Sequence, residues 1–144
     1  MPRVLVLNNY PLEEVWEEVR RGDTPDHVLF GVNYFSQRGY ECEFLPCRDG
    51  GSQSRINHFL QAIHFPFPLG DIDQQRAVLN RLQDADIVYA ACEGQTAGLA
   101  ALRALGRFEK PIVSVVHHPL NRGRLHAVRA PYLRLVQKGT DKLA

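Results

Sequence analysis

The sequence lacks the features that mark several large classes of protein. It has three cysteines, and their odd number and spacing indicate neither a disulfide framework nor a zinc site. No apolar run approaches the roughly 20 residues that span a bilayer. The first residues pass directly into a strand-like run, without the layout of a signal peptide. The sequence therefore predicts a protein of the reducing cytoplasm.

An excess of charge of one sign is also missing. The 17 lysines and arginines nearly balance the 16 aspartates and glutamates, and the formal net charge is +1. Proteins that bind nucleic acid usually carry a strong basic excess, so we expect no nucleic-acid partner. The chain also lacks the serine nucleophile elbow, the phosphate loop and the dinucleotide fingerprint. We therefore expect no cofactor, and the spacing of the histidines predicts no metal site.

The pattern that is present is an alternation of strand-like and helix-like segments over 144 residues, a length typical of one domain. The predicted strands cover 4–7, 41–45, 87–91 and 112–116, with another strand beginning near 140. The predicted helices cover 11–22, 23–38, 55–63, 71–82, 96–105 and 131–138. Such an alternation predicts an α/β domain over residues 1–144, with a Rossmann-like parallel sheet flanked by helices.

Several stretches carry a resemblance to a known family. The turn and the apolar segment that begin at 22–27 close with Arg-Gly-Tyr-Glu-Cys at 38–42. Asp-Ala-Asp-Ile-Val follows at 84–88, and Lys-Pro-Ile-Val-Ser-Val-Val-His at 110–117. Together with Lys-Gly-Thr-Asp at 138–141, these stretches resemble, in order, the N-terminal domain of retaining GT-B glycosyltransferases. That large family, the family 4 type, includes glycogen-synthase-like and lipopolysaccharide enzymes.

The resemblance implies a fold and an activity. The chain is expected to be the acceptor-side domain of a GT-B fold, which ends before the C-terminal domain that binds the donor. The whole enzyme is expected to move a sugar from a nucleotide-sugar donor to an acceptor, with retained configuration and without a metal. It is also expected to be a peripheral membrane protein. The chain by itself is expected to be inactive, and neither donor nor acceptor is identified by the sequence.

Candidate site residues lie where strands end, because ligands of open α/β sheets bind outside the carboxyl ends of the strands. Asn8 and Glu93 follow two of these strands, and His117 and His118 follow a third. A histidine there can donate a hydrogen bond to a sugar hydroxyl or a phosphate oxygen. The resemblance implies that His117 faces the transferred sugar as the catalytic residue. Alternatively, these residues are polar strand-end side chains without a role in binding, and Glu93 is a helix cap.

A second group of candidates lies in the first family-like turn. Gly22 and Asp23 are predicted to open a helix, where backbone N–H groups can hold a phosphate or carboxylate of the substrate. Asp23 stands where the family has a second glycine. His27 is predicted to lie one turn into that helix and to contact substrate. A turn glycine and a surface histidine are the structural alternatives.

Two other functions compete with sugar transfer. One is a stand-alone flavodoxin-like or receiver-like module that binds a small ligand. The other is a nucleotide-sugar epimerase of related fold. A receiver needs clustered acidic residues after its first strand, where this chain has Asn8 and Asn9. A flavin module needs a hydroxyl-rich loop at the same place.

Overall fold

The chain folds into alternating strands and helices. A computed structural model describes residues 1–47, 54–62, 69–115 and 126–143. The strands are β1 (Arg3–Leu7), β2 (Glu41–Phe44), β3 (Ile87–Ala90), β4 (Ile112–Ser114) and β5 (Lys142–Leu143). The α-helices are α1 (Leu12–Arg21), α2 (Arg55–Ala62), α3 (Ile72–Asn80), α4 (Ala97–Ala104) and α5 (His126–Gly139). Short 3₁₀ helices cover Asp26–Leu29, Val32–Tyr34, Ser36–Arg38, Leu82–Asp84 and Glu93–Thr96.

All five strands join one parallel sheet in the order β2-β1-β3-β4-β5. This confirms the predicted α/β class with a Rossmann-like parallel sheet flanked by helices. This is the strand order of flavodoxin-like doubly wound sheets. The Rossmann order, 3-2-1-4-5-6, becomes the same order when its edge strand 3 is left out and the rest are renumbered. β1 is paired on both sides, and its last four residues are buried, which explains its continuous apolar run.

The two faces of the sheet carry separate hydrophobic cores. On one face, Leu5 and Val88 pack with residues of α3, α4 and α5, such as Val78, Leu99 and Val136. On the other face, α1 and the 3₁₀ helices cover the strands; the buried side chains here are Val4, Val6, Leu12, Leu29, Val32, Tyr89 and Ala91. Successive side chains of a strand point to opposite faces, so each buried strand contributes to both cores.

The segment after α1 differs from its prediction. One helix was expected over 23–38, but the structure has three separate 3₁₀ helices there. The break lies at Phe30 and Gly31, whose φ angles of 49° and 80° are left-handed and cannot continue a right-handed helix. The Phe30 carbonyl accepts a hydrogen bond from the Tyr89 hydroxyl at 2.6 Å, and the Phe30 N–H donates to the His27 carbonyl at 3.2 Å. The tertiary bond from Tyr89 holds the break against the sheet.

The last helix is longer than predicted. α5 begins at His126, whereas the sequence predicted a start at Pro131, which in fact lies inside the helix. A proline within a helix removes the hydrogen bond to the residue four positions earlier, and one such loss near the start leaves the rest of the helix intact. Within the described ranges, none of the helices has the length and apolar character to cross a membrane.

Candidate functional site

The strand order places a crevice between two neighbouring strands. β1 and β3 lie side by side in the sheet, yet the chain passes from β1 to β2 on one side and from β3 to β4 on the other. Ligands of doubly wound sheets bind at such a switch point, outside the carboxyl ends of the strands. The residues that follow β1 and β3 are Asn8 and Ala91, and the Ala91 N–H donates to the Leu7 carbonyl at 3.2 Å. A ligand bound at this switch point would therefore meet the ends of β1 and β3.

Asn8 is held there by a side chain of α3. The Asn8 N–H donates to Gln74 Oε1 at 3.1 Å, and Gln74 Nε2 donates to the Asn8 carbonyl at 2.6 Å. Gln74 is almost fully buried and is positioned by the N-cap of α3, because Asp71 Oδ1 accepts from the Gln74 N–H at 3.1 Å. The reciprocal pair continues the hydrogen bonding of β1 by one residue and fixes the backbone of Asn8.

The side chain of Asn8 has an oxygen without a donor. Asn8 is 3% exposed, and its Nδ2 donates to the Tyr10 carbonyl at 2.9 Å. A carbonyl accepts only, so this bond fixes which end of the amide is the nitrogen. The other end, Oδ1, has no partner among the described residues. Since a buried acceptor without a donor costs roughly 1–3 kcal/mol, the position favours a ligand that donates a hydrogen bond.

Asn8 forms part of the wall of a cleft of about 210 Å³, the strand-end cleft. It lies between the ends of β1 and β2 and the first turn of α1, and its lining includes Tyr10, Glu13, Glu14 and Cys47. Glu13 and Glu14 already occupy the positive end of the α1 dipole. A further negative charge is disfavoured beside them. The cleft therefore suits a neutral or cationic ligand that carries hydroxyl or amine donors.

Tyr10 connects the cleft to the helical segment that follows α1. Its hydroxyl donates to the Val28 carbonyl, and its ring lies 6.4 Å from that of Phe30, centroid to centroid. The pKa of Tyr10 is raised, chiefly because burial penalises the phenolate; the Asn8 side chain lowers it and Cys92 raises it further. Tyr10 is therefore a neutral hydrogen-bonding group at physiological pH, and Cys92 lies near enough to influence it.

The other side of the switch point is closely packed. Gln75 Oε1 accepts from the Leu99 N–H at 2.8 Å, and Gln75 Nε2 donates to the Leu69 carbonyl. A Cβ on Gly70 would lie 2.1 Å from the carbonyl oxygen of Gly94, so only glycine fits at this contact. Gln95 Oε1 is a second buried oxygen without a partner in the described part of the chain. The unpaired oxygens of Asn8 and Gln95 thus belong to segments that follow the switch-point strands, whereas a third, Oδ1 of Asn33, lies in the 3₁₀ helix Val32–Tyr34.

The predicted turn residues occupy other positions than expected. Gly22 is the C-terminal cap of α1, with a φ of 83°, and its N–H donates to the Val19 carbonyl at 3.0 Å. It does not open a helix, so the predicted seat for an anion is wrong in its geometry. Asp23 is exposed and pairs with Arg21 at 2.9 Å. Since α1 leaves the strand-end cleft and extends about 15 Å, Gly22 and Asp23 lie at its far end.

His27 is the neighbour in sequence of a residue that contacts Tyr10. It is exposed, in a 3₁₀ helix and not in the predicted α-helix, and it precedes Val28, the residue bonded to Tyr10. Glu93 opens the 3₁₀ helix after β3, as the strand-end prediction requires. Thr96, at the N-cap position of α4, makes no side-chain cap hydrogen bond; its hydroxyl bonds Ser114 Oγ at 2.8 Å. His117 and His118 lie outside the described residues.

The sequence predicted Asn8 as a site residue but gave no role to its partner Gln74 or to the neighbouring Gln75. Gln74 and Gln75 are adjacent polar residues in a helix, a pattern that normally indicates a solvent-exposed position. The only signal was the predicted start of a helix at 71, since the start of α3 determines which of its residues face the sheet. No three His, Cys, Asp or Glu side chains of the described segments come together to hold a metal.

Comparisons with models of protein families, with curated proteins and with solved structures returned no match.

Proposed function

We propose that this chain is the acceptor-side domain of a GT-B-type glycosyltransferase that moves a sugar from a nucleotide-sugar donor to an acceptor. The observation that carries the proposal is the unpaired, buried Oδ1 of Asn8 in the wall of the strand-end cleft. A sugar is rich in hydroxyl donors, and it brings no negative charge to Glu13 and Glu14. The family-like stretches of the sequence support the same function.

The described residues would act on the acceptor by binding and orienting it. Asn8 accepts a hydrogen bond from an acceptor hydroxyl, and Gln74 keeps the Asn8 backbone fixed while it does so. Holding reactants in a productive geometry is a large part of enzymatic rate enhancement. The family resemblance assigns the catalytic role to His117 and a substrate contact to His118. A C-terminal domain binds the nucleotide, and the reaction needs no cofactor or metal.

The proposal places the enzyme in the cytoplasm, where nucleotide sugars are available, and on the membrane surface as a peripheral protein. Its acceptor is then a sugar or a glycolipid headgroup. Glu93 at the switch point and His27 beside the Tyr10 contact are further residues that approach the acceptor.

The test uses the native protein, isolated from its source cells with an antibody raised against this chain. We expect a mass well above the 16.3 kDa of these residues and transfer of labelled sugar from one of a set of nucleotide sugars. Asn8→Ala should raise the KM for the acceptor and leave the KM for the donor unchanged, because the proposed contact is with acceptor only. A species of the chain's own mass, without transfer, would contradict the proposal.

One observation favours a second function, a stand-alone module that binds a small ligand. The order β2-β1-β3-β4-β5 is the flavodoxin-like order, and the crevice of such sheets binds mononucleotides. Native mass spectrometry of the purified chain separates the two functions. A stoichiometric small molecule that co-purifies and is lost in Asn8→Ala supports the module; a ligand-free chain that binds acceptor sugars supports the transferase.

A further inference from the structure

A second, larger concavity adjoins the strand-end cleft. This edge groove has a volume of about 660 Å³ and lies between α1 and the outermost strand, β2. It shares two lining residues, Glu13 and Phe44, with the strand-end cleft. Its volume lies within the roughly 300–1,000 Å³ of ordinary small-molecule sites. A ligand that enters the strand-end cleft can therefore extend into the groove.

Aromatic rings and carboxylates line the edge groove together. Trp16 packs edge-on against Phe44, with ring centroids 5.6 Å apart and planes at 79°, and Tyr40 is a third aromatic lining residue. Glu17 and Glu41 are 61% and 59% exposed at their side chains. Each has a basic neighbour, Arg20 at 3.1 Å and Arg3 at 3.8 Å, and such exposed pairs hold their partners weakly. Their oxygens remain available to hydroxyl donors.

We infer that the edge groove is an additional subsite for the acceptor, which is a neutral oligosaccharide and not a single sugar. Aromatic side chains offer the apolar faces on which sugar rings stack, and carboxylates accept bonds from ring hydroxyls. Glu13, Glu17 and Glu41 together disfavour an anionic chain. The unpaired Oδ1 of Asn8 marks the end of the path that leads to the switch point. This inference rests on the proposed function and names its acceptor class.

Ligand entry requires a small rearrangement at the Asn8 end. Oδ1 of Asn8 has an exposed area below 1 Å², so the side chains that cover it must shift when a hydroxyl reaches it. The edge groove needs no such change, because most of its lining side chains are partly or fully exposed. We therefore expect longer oligosaccharides to bind through the groove first, and a single sugar to bind more weakly.

The test begins with the labelled chain on a printed glycan array that holds neutral, acidic and amino sugars of one to eight units. We expect binding to neutral glycans of three units or more and none to acidic ones. The best neutral glycan is then titrated while the fluorescence of Trp16, the sole tryptophan, is followed. Saturable change is expected, and Trp16→Phe should weaken binding, measured by calorimetry, by about threefold to tenfold.

Charge variants test the carboxylates without removing the aromatic wall. Glu17→Gln combined with Glu41→Gln should permit binding of the acidic counterpart of that glycan. Glu109→Gln, an exposed position away from both concavities, is the matched control and should still reject it. The inference is overturned if no neutral glycan on the array binds, or if the double variant behaves like the control. It is also overturned if a lysine-rich amphipathic peptide changes the Trp16 fluorescence and glycans do not, since the groove is then a protein-docking surface.

The outcome separates this inference from the proposed function. If the longer native protein transfers sugar and the groove variants do not alter that transfer, the subsite is contradicted and the transferase function is supported. If the chain binds oligosaccharides and the native protein transfers no sugar from any nucleotide sugar, the groove is supported as a binding site and the transferase function is contradicted.

Discussion

Gln74 is the residue on which the geometry of Asn8 depends. Replacing it with methionine keeps the length of the side chain but leaves the N–H and the carbonyl of Asn8 unpaired in a buried place. An unpaired buried group costs about 1–3 kcal/mol, so we expect Gln74→Met to lower the free energy of unfolding by roughly that amount for each group. Urea denaturation measures it. Gln83→Met changes an exposed glutamine in the same way and should cost little; equal losses in the two variants would contradict the prediction.

Gly22 distinguishes a helix cap from an anion site. Its φ of 83° strains any residue with a Cβ, although a Cβ there meets nothing within 4 Å. Gly22→Ala should therefore lower the free energy of unfolding by about 1–2 kcal/mol. Phosphate titration followed by amide NMR shifts should show no site at Gly22 in either protein. Gly94→Ala, at a position without a positive φ and with open space around its Cβ, is the control. Saturable phosphate shifts at Gly22 would restore the predicted anion site.

At the residue scale, the sequence predicted the residues at the strand ends better than the side chains that pack against them. Asn8 and Glu93 lie at the strand ends where the pattern of apolar runs placed them. The role of Gln74 depends on how α3 packs across the sheet, and a local sequence pattern does not predict that packing. Gly22 was assigned to the wrong end of a helix, because a glycine between two helical patterns can cap the first or open the second.

Among the helices and strands, too, some were predicted correctly from the sequence and others were not. The strands and α1 to α4 match their predictions within a few residues, since each has a clear apolar period or a cap such as Asp71. The single helix predicted over 23–38 was wrong, because the break at Phe30 is held by Tyr89, a residue of β3 that is distant in sequence. α5 was predicted to begin too late, because Pro131 is a common first residue of a helix and only its surroundings show otherwise.

The contact between α4 and α5 yields a prediction at the scale of elements. A Cβ on Gly139 would lie 1.7 Å from the carbonyl oxygen of Ala100, so Gly139→Ala must force the two helices apart. Overpacking typically costs about 1–3 kcal/mol, which exceeds the roughly 1 kcal/mol that alanine gains over glycine in a helix. We therefore expect a net loss of unfolding free energy in chemical denaturation. Gln137→Ala, an exposed change in the same helix, should be neutral; a stabilised Gly139→Ala would show that the helices do not approach this closely.

At the scale of the whole molecule, the parallel sheet was predictable and its strand order was not. Alternating strands and helices require parallel crossovers, whereas the order depends on which side of β1 each crossover returns. The strand order places Asn8 beside the segment that follows β3. The fold class therefore predicts that a site lies at the strand ends, and the strand order determines which residues form it.

The whole molecule should lose stability in alkali, because both cores bury neutral acids. Burial raises the pKa of Cys42 to about 11 and the pKa values of Tyr89 and Tyr132 to about 12, from 9.0 and 10.0. A raised folded-state pKa means that the unfolded chain releases its proton first. The stabilisation is therefore complete below pH 9 and is lost as the pH rises toward 12.

Urea denaturation from pH 8 to pH 11 should show the unfolding free energy falling steadily above pH 9. Tyr89→Phe removes one of these protons and also the 2.6 Å bond to the Phe30 carbonyl. The variant should therefore be less stable than the parent at pH 8 but lose less stability between pH 10 and pH 11. Parallel pH profiles would mean that Tyr89 ionises equally well in the folded and unfolded chain, and that its hydroxyl is not buried between the sheet and Phe30.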